Sequence, residues 1–209
     1  MKFQQFKFWL ILTAVLGTAC AEENSVGVAQ SDANPTNMVV VAATATPTPN
    51  TERELDVPYV PTHEMIVDEM LKMAQVKGDD VLYDLGSGDG RIPITAAQRF
   101  GTRGVGIDLN PVRVKEANEN AVKAKVTDKV KFIEGDLFQE DFSEATVLTL
   151  YLLPDVNLKL RPKILQMKPG TRVVSHNYDM GDWRPEKAKT LTTPDGTTHY
   201  VYFWRVPNR

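Results

Sequence analysis

Along the chain the spacing of apolar residues changes several times, and each change marks an element. Met65, Ile66, Met70, Met73 and Ala74 recur at helical spacing behind Thr62, which predicts a helix capped by that threonine. Val81-Leu82-Tyr83-Asp84-Leu85, a short apolar run between Gly78 and Gly86, predicts a strand. Arg91 to Phe100 returns to helical spacing, with Pro93 in its first turn and Gly101 as its stop. The alternation then repeats: a strand at Gly104 to Asp108, and a helix from Pro111 with Val114, Ala117, Ala121 and Ala124 on one face. Val130 to Glu134 and Ala145 to Leu150 predict two more strands, Val156 to Gln166 a helix interrupted near Pro162, and Thr171 to Ser175 a fifth strand. Strands separated by helices imply parallel pairing with crossover connections, so the fold class is α/β. The ending differs, because Leu191-Thr192-Thr193 and Thr198 to Val206 flank Pro194-Asp195-Gly196, a tight-turn signature that predicts an antiparallel hairpin. Tyr200, Tyr202 and Trp204 alternate with Val201 and Phe203, the pattern of a strand covered on both faces.

The first 54 residues follow other rules. Lys2 and Lys7 precede an apolar run from Phe8 to Leu16 and the small residues Gly17, Thr18 and Ala19, the layout of a secretory signal peptide over residues 1–20. The run is shorter than the roughly 20 apolar residues a bilayer span requires. Cys20 stands where bacterial lipoproteins are lipidated, although Leu16 lies one place further back than that cleavage box wants. Cleavage after Ala21, reading Ala19-Cys20-Ala21 as small-x-small, competes with lipidation. From residue 21 to 54 the composition is Ala, Thr, Asn, Ser, Val and Pro without an aromatic residue, so the segment is expected to be a disordered linker ahead of a domain at 55–209.

Composition narrows the chemistry. Of 209 residues 42% are hydrophobic and 24% charged, an ordinary globular balance, and a net charge of −3 gives no strong nucleic-acid signal. The single cysteine excludes an intrachain disulfide and a Cys-rich zinc site, and its place in the leader leaves the domain without a thiol nucleophile. No metal is expected, and a monomer is.

The informative segment is Asp84-Leu85-Gly86-Ser87-Gly88-Asp89-Gly90-Arg91, a glycine-rich turn that leaves the first strand and opens a helix. Such a turn lets a ligand approach the backbone and offers it helix N–H groups. The dinucleotide fingerprint needs its third glycine one place later, where Arg91 stands, and no Gly-x-x-x-x-Gly-Lys-Ser/Thr run exists. Asp108 ends the second strand, where a carboxylate can accept hydrogen bonds from both hydroxyls of a ribose. Asp136 and Leu137 follow the third strand and can border an adenine edge, while Asp84 faces the place for a cationic group. Together these residues describe a nucleoside with a positively charged tail.

In order and separation, Asp84 to Gly90, Gly106-Ile107-Asp108 and Glu134-Gly135-Asp136-Leu137 resemble the successive cofactor motifs of class I S-adenosylmethionine-dependent methyltransferases. That resemblance implies a Rossmann-like, seven-stranded, mostly parallel sheet with a C-terminal antiparallel hairpin. It implies S-adenosylmethionine as cofactor, held by Asp84, Gly86, Ser87, Gly88, Gly90, Asp108, Leu109, Asp136 and Leu137. Val57-Pro58-Tyr59-Val60-Pro61-Thr62 and Tyr151-Leu152-Leu153-Pro154 look more narrowly like bacterial relatives of the lysine methyltransferases of the ATP synthase c subunit, and more distantly like histone methyltransferases lacking a SET domain.

The acceptor is less legible. No Asn/Asp-Pro-Pro-aromatic run follows the fourth strand to hold a planar amino group; Tyr151 to Pro154 stands there instead. A lysine amine, with an ordinary pKa of about 10.4, costs roughly 4.6 kcal/mol to present neutral at pH 7. Desolvation beside aromatic rings supplies part of that, and Tyr59, Tyr151, Tyr178 and Trp183 are the candidates for such a pocket. Tyr59, Tyr151 and His176 are the candidate catalytic residues, His176 as proton acceptor; His63 and His199 read as structural. The expected activity is N-methylation of a lysine or other amine of a protein. A lipid-tethered, non-catalytic nucleoside-binding module and a small-molecule methyltransferase remain open alternatives. Export, with membrane anchoring through Cys20, would part the domain from a cofactor made in the cytoplasm. Either the leader does not function and the domain works inside, or the domain works outside on cofactor that reaches it.

Overall fold

The computed structural model describes residues 59–208, so the expected leader and linker lie outside the described residues. Strands β1 (Val81–Leu85), β2 (Arg103–Asp108), β3 (Val130–Glu134), β4 (Val147–Leu150), β5 (Arg172–His176), β6 (Lys187–Thr192) and β7 (Thr198–Arg205) form one sheet in the order β3-β2-β1-β4-β5-β7-β6. Helices α1 (Glu64–Met73), α2 (Arg91–Phe100), α3 (Pro111–Ala124) and α4 (Pro154–Ile164) pack around it. β1 to β5 pair in parallel, whereas β7 runs antiparallel to both β5 and β6. The Rossmann-like, mostly parallel sheet with its antiparallel ending is therefore the fold of this chain. The chain progresses outward from β1 to β3 and returns to β4 on the other side of β1. A crevice consequently opens beyond the carboxyl ends of β1 and β4, the usual ligand position in open α/β sheets.

Period-two alternation divides the central strands between two faces. Val81, Tyr83, Leu85, Leu148, Leu150, Val173 and Trp204 bury one face with Val156, Leu160 and Ile164 of α4. Leu82, Val147, Val174, Val201 and Phe203 bury the other against Ile66, Val67, Met70 and Leu71 of α1 and Ile92 and Ala96 of α2. Each such side chain contributes about 1.5–3 kcal/mol on leaving water. At the amino edge, an Arg172–Asp80 ion pair and a 2.7 Å hydrogen bond from Thr146 Oγ1 to Asp80 join β5, β4 and the approach to β1, away from the crevice.

Four local expectations need correction. The N-cap of α1 is His63, whose Nδ1 accepts from the Met65 N–H at 3.2 Å; Thr62 is drawn instead to His176. Pro162 does not interrupt α4, which starts at Pro154 and carries Pro162 near its end. The bond its missing N–H forfeits is to the carbonyl of Leu158, which is exposed. β6 begins at Lys187 rather than Leu191; it is an edge strand exposed almost throughout, so no apolar alternation marks it, and its Lys189 pairs with Glu69 of α1 at 2.7 Å. β7 is covered on both faces only toward its end, where Phe203 and Trp204 are buried, while Tyr200 lies open.

Candidate active site

At the carboxyl ends of the parallel strands, one cleft gathers the glycine turn, four aspartates and an aromatic wall. The turn is possible because Gly86, Gly88 and Gly90 all hold positive φ, at 78°, 53° and 79°. Gly88 is required twice over: a Cβ there would stand 2.6 Å from the ring of Tyr59, which lies over the turn. Gly90 does not line the cleft, contrary to the cofactor role expected of it. It precedes α2, and a Cβ would meet Phe132 at 2.5 Å, so its smallness lets the turn sink against β3 and α3.

Sheet register positions the acids. Asp84 pairs with Thr149 across β1 and β4, so both side chains share a face, and the Thr149 hydroxyl donates to Asp84 Oδ1 at 2.7 Å. Burial, with negative Asp108 and Asp89 nearby, pushes the Asp84 carboxyl up to about 7 against that hydrogen bond. A cation beside it would return it to its charged form. Asp108 Oδ2 accepts the Gly88 N–H at 2.8 Å and Oδ1 accepts the Asn110 N–H at 2.9 Å, which fixes the carboxylate and leaves each oxygen a second lone pair. Asp136 is held by the Phe138 N–H and by Gln139 Nε2, both at 2.9 Å. Ser87 Oγ is buried with no hydrogen-bond partner, an unmet polar group beside the glycine turn. Close-approach backbone, an unmet hydroxyl and clustered acids fit a nucleoside that carries a positive charge.

The opposite wall is built from distant segments. Tyr59, Val60 and Pro61, which precede α1, face Tyr151, Leu152 and Leu153 after β4, and Tyr178 after β5. The rings of Tyr151 and Tyr178 are nearly parallel, with centroids 6.4 Å apart. His176 does not line the cleft. Its ring lies 3.8 Å behind that of Tyr151, with Nδ1 at 3.2 Å from Thr62 Oγ1 and Nε2 at 2.9 Å from His199 Nδ1. Burial, and then the charge of His199, push it down to about 3, so it stays neutral and both nitrogens are occupied. The expected role as proton acceptor has no exposed lone pair to serve it. Trp183 is likewise absent from this wall: it packs on Trp204, whose Nε1 donates to its carbonyl, in the core on the α4 side.

Two arginines in the cleft escaped the sequence reading. Arg91 grips Asp89 through Nε and Nη2 and donates Nη1 to the Thr62 carbonyl at 2.8 Å, fastening the segment before α1 to the turn. Arg113 lies 4.4 Å over the Tyr59 ring and pairs with Glu116. The only sequence signal for Arg113 was its place in the first turn of the helix after Asp108. Nothing in the sequence marked Thr149 as the partner of Asp84.

This sheet order and this cleft define a class I methyltransferase fold with a nucleoside site. Residues 84–187 match the ANTKMT methyltransferase domain. A protein-lysine N-methyltransferase of Saccharolobus islandicus is 46% identical over 153 residues, which cover 72% of this chain and 94% of that one. The human lysine N-methyltransferase of the ATP synthase c subunit is 32% identical over 152 residues, and the match spans 64% of its length, less than two thirds. A solved structure described as an RNA methyltransferase from Salinibacter ruber, in complex with S-adenosyl-L-homocysteine, has 55% identity and a TM-score of 0.67, covering 72% of this chain and 95% of its own. The chain belongs to the S-adenosylmethionine-dependent methyltransferase family that includes these lysine N-methyltransferases. It is an enzyme that uses S-adenosylmethionine.

Proposed function

We propose that the protein methylates the side-chain amine of a lysine in a polypeptide. The observation that carries this reading is the uncharged aromatic wall. Tyr59, Val60, Pro61, Tyr151, Leu152, Leu153 and Tyr178 present no cation, and the cleft's arginines are engaged by Asp89 and Glu116. Such a wall favours the neutral form of an amine through desolvation and gives a phosphate backbone nothing to neutralise it. Lysine methylation by the 46%-identical Saccharolobus relative supports the same acceptor.

When bound, S-adenosylmethionine supplies a methyl group on a sulfonium that leaves as a neutral thioether. In this reading Asp108 accepts the ribose hydroxyls with its spare lone pairs, and Asp136 and Leu137 border the adenine. Asp84 faces the cationic amino group, and Ser87 with the backbone of Gly86 and Gly88 lines the turn. Tyr59 closes over Gly88, clamped by Arg113. Tyr151 and Tyr178 flank the amine and exclude water, and the amine's own lone pair is the nucleophile. Burial raises the Tyr151 hydroxyl, so it stays protonated at neutral pH and acts by orienting the amine.

Mass spectrometry of a whole-cell extract incubated with the enzyme and isotopically labelled methyl donor tests the reading. Label on lysine is expected; label confined to RNA, the substrate for which the Salinibacter protein is named, sinks the lysine assignment. Failure to bind S-adenosylhomocysteine in calorimetry would remove the cofactor assignments. On the sequence layout we also propose export, with Cys20 lipidated, and action as a monomer. Fatty-acid label retained by Cys20→Ser, or a wholly cytosolic pool of the domain, refutes the anchoring, and light scattering checks the mass.

A further inference from the structure

Just ahead of α1 stands Thr62, a threonine that the helix does not use. His63 caps α1, and the Thr62 side chain turns inward, only 4% exposed, to place its Oγ1 3.2 Å from His176 Nδ1, 114 positions further along the chain. Thr62 is held at its backbone as well. Its carbonyl accepts Arg91 Nη1 at 2.8 Å, while Arg91 Nε and Nη2 donate to the Asp89 carboxylate at 2.9 and 2.6 Å. Asp89 sits between Gly88 and Gly90 in the glycine turn. On the other side, the His176 ring lies against Tyr151 with 3.8 Å between centroids, and its Nε2 is 2.9 Å from His199 Nδ1. A continuous chain of contacts therefore runs from the glycine turn through one buried threonine to the aromatic wall.

We infer that Thr62 is a positioning residue for methyl transfer: its carbonyl is fastened to the glycine turn through Arg91 while its hydroxyl holds His176 against Tyr151, so the acceptor wall takes its place from the cofactor turn. The inference rests on reading Tyr151 as part of the acceptor wall. The turn follows β1 and Tyr151 follows β4, yet transfer needs donor and acceptor aligned, and a misplacement of about 1 Å can cost 100-fold in rate. A hydroxyl both donates and accepts, so the Thr62 bond to Nδ1 forms in either tautomer of His176. With Nε2 met by His199, the ring is pinned at two corners and cannot turn without breaking both bonds. Removing the Thr62 hydroxyl leaves one corner pinned and Nδ1 buried without a partner.

Thr62→Val keeps the shape and the carbonyl but removes the hydroxyl, and Thr62→Ser restores one. Methyl transfer from tritiated donor to a whole-cell protein extract is measured for both, alongside calorimetry of S-adenosylhomocysteine. Thr62→Val is expected to lower kcat about tenfold, with apparent KM for the extract and S-adenosylhomocysteine affinity unchanged, and Thr62→Ser to rescue kcat. A hydroxyl that served stability alone would lower the melting temperature and leave the kcat of folded enzyme unmoved. In nitrogen NMR spectra, adding S-adenosylhomocysteine is expected to shift the His176 ring resonances in the wild type and not in Thr62→Val. Should Thr62→Val fail to fold, Arg91→Lys is expected to lose the same shift, since it keeps a cation beside Asp89 but not the fork that also reaches the Thr62 carbonyl. A wild-type kcat for Thr62→Val, no rescue by Thr62→Ser, or His176 resonances that answer the ligand equally in wild type and variant would overturn the inference alone. A wild-type kcat and apparent KM for Tyr151→Ala would remove the acceptor-wall reading along with it.

Discussion

The two walls of the cleft are made by different means. The glycine-turn wall is mostly backbone: three glycines at positive φ, and carboxylates whose oxygens accept N–H groups two to twenty residues away in the chain. The facing wall is side chain, and it brings together Tyr59, Tyr151 and Tyr178 from three places in the sequence, with His176 and then His199 behind Tyr151. A ligand common to a whole family can be held by backbone geometry that one local motif encodes. An acceptor that differs between relatives is met by side chains, which change without disturbing the turn. The walls touch where Tyr59 lies over Gly88 and where Arg91 holds Thr62.

The largest separation of the two walls is expected from Asp108→Ala, which removes the carboxylate that the proposed reading sets against the ribose hydroxyls. Calorimetry should find S-adenosylhomocysteine bound about 100-fold more weakly, since hydrogen bonds to a charged group are worth about 1.5–3 kcal/mol each. A loss under threefold would mean that the glycine-turn wall is not the nucleoside site. Gly88→Ala sharpens the contact between walls: its Cβ, 2.6 Å from the Tyr59 ring and at a left-handed φ, should weaken binding about tenfold. Adding Tyr59→Ala should recover the steric part of that loss but not the backbone part.

Asp84 predicts a pH signature. Its carboxyl is raised to about 7, first by burial and then by its acidic neighbours, so the unliganded fold keeps a proton that the unfolded chain releases above about 4. The unliganded domain should lose stability as pH rises from about 4 to 7, then level off. Binding a cationic amino group expels that proton, so affinity for S-adenosylhomocysteine should rise severalfold between about pH 6 and 7 and flatten above. Asp84→Asn should abolish the slope and raise the melting temperature of the unliganded protein at pH 8. A pH-independent affinity in the unmodified protein would place the amino group elsewhere. The smallest effect on activity is expected from Trp183→Leu. That residue packs on Trp204 away from the cleft, so stability should fall by about 1–3 kcal/mol while KM for the acceptor extract stays unchanged.

Legibility followed the same division. β1, α2 and β3 lie where apolar spacing put them, because the buried run at Val81–Leu85, the alternation through Val130, Phe132 and Glu134 and the glycines around α2 are local signals. The cofactor candidates all line the cleft except Gly90, whose role is close packing. Of β6 only the end beside the turn, from Leu191, was legible, since a strand exposed on both sides needs no alternation. On the acceptor side Tyr59, Tyr151 and Tyr178 line the cleft, and His176 and Trp183 do not. The element that carries a side chain shows in the sequence, but which neighbour closes over it depends on packing.

By itself, the sequence determined the order of elements, the glycine turn and the acids that follow β1, β2 and β3, because backbone conformation and hydrophobic periodicity act over a few residues. Only the tertiary structure decided that Thr149 meets Asp84 and that Thr62 and His199 engage both nitrogens of His176. Those pairings span between 23 and 114 positions where they are hydrogen bonds to His176, and strand register sets the partner of Asp84. Contacts at that separation are chosen by how a whole sheet packs, and no local pattern specifies them.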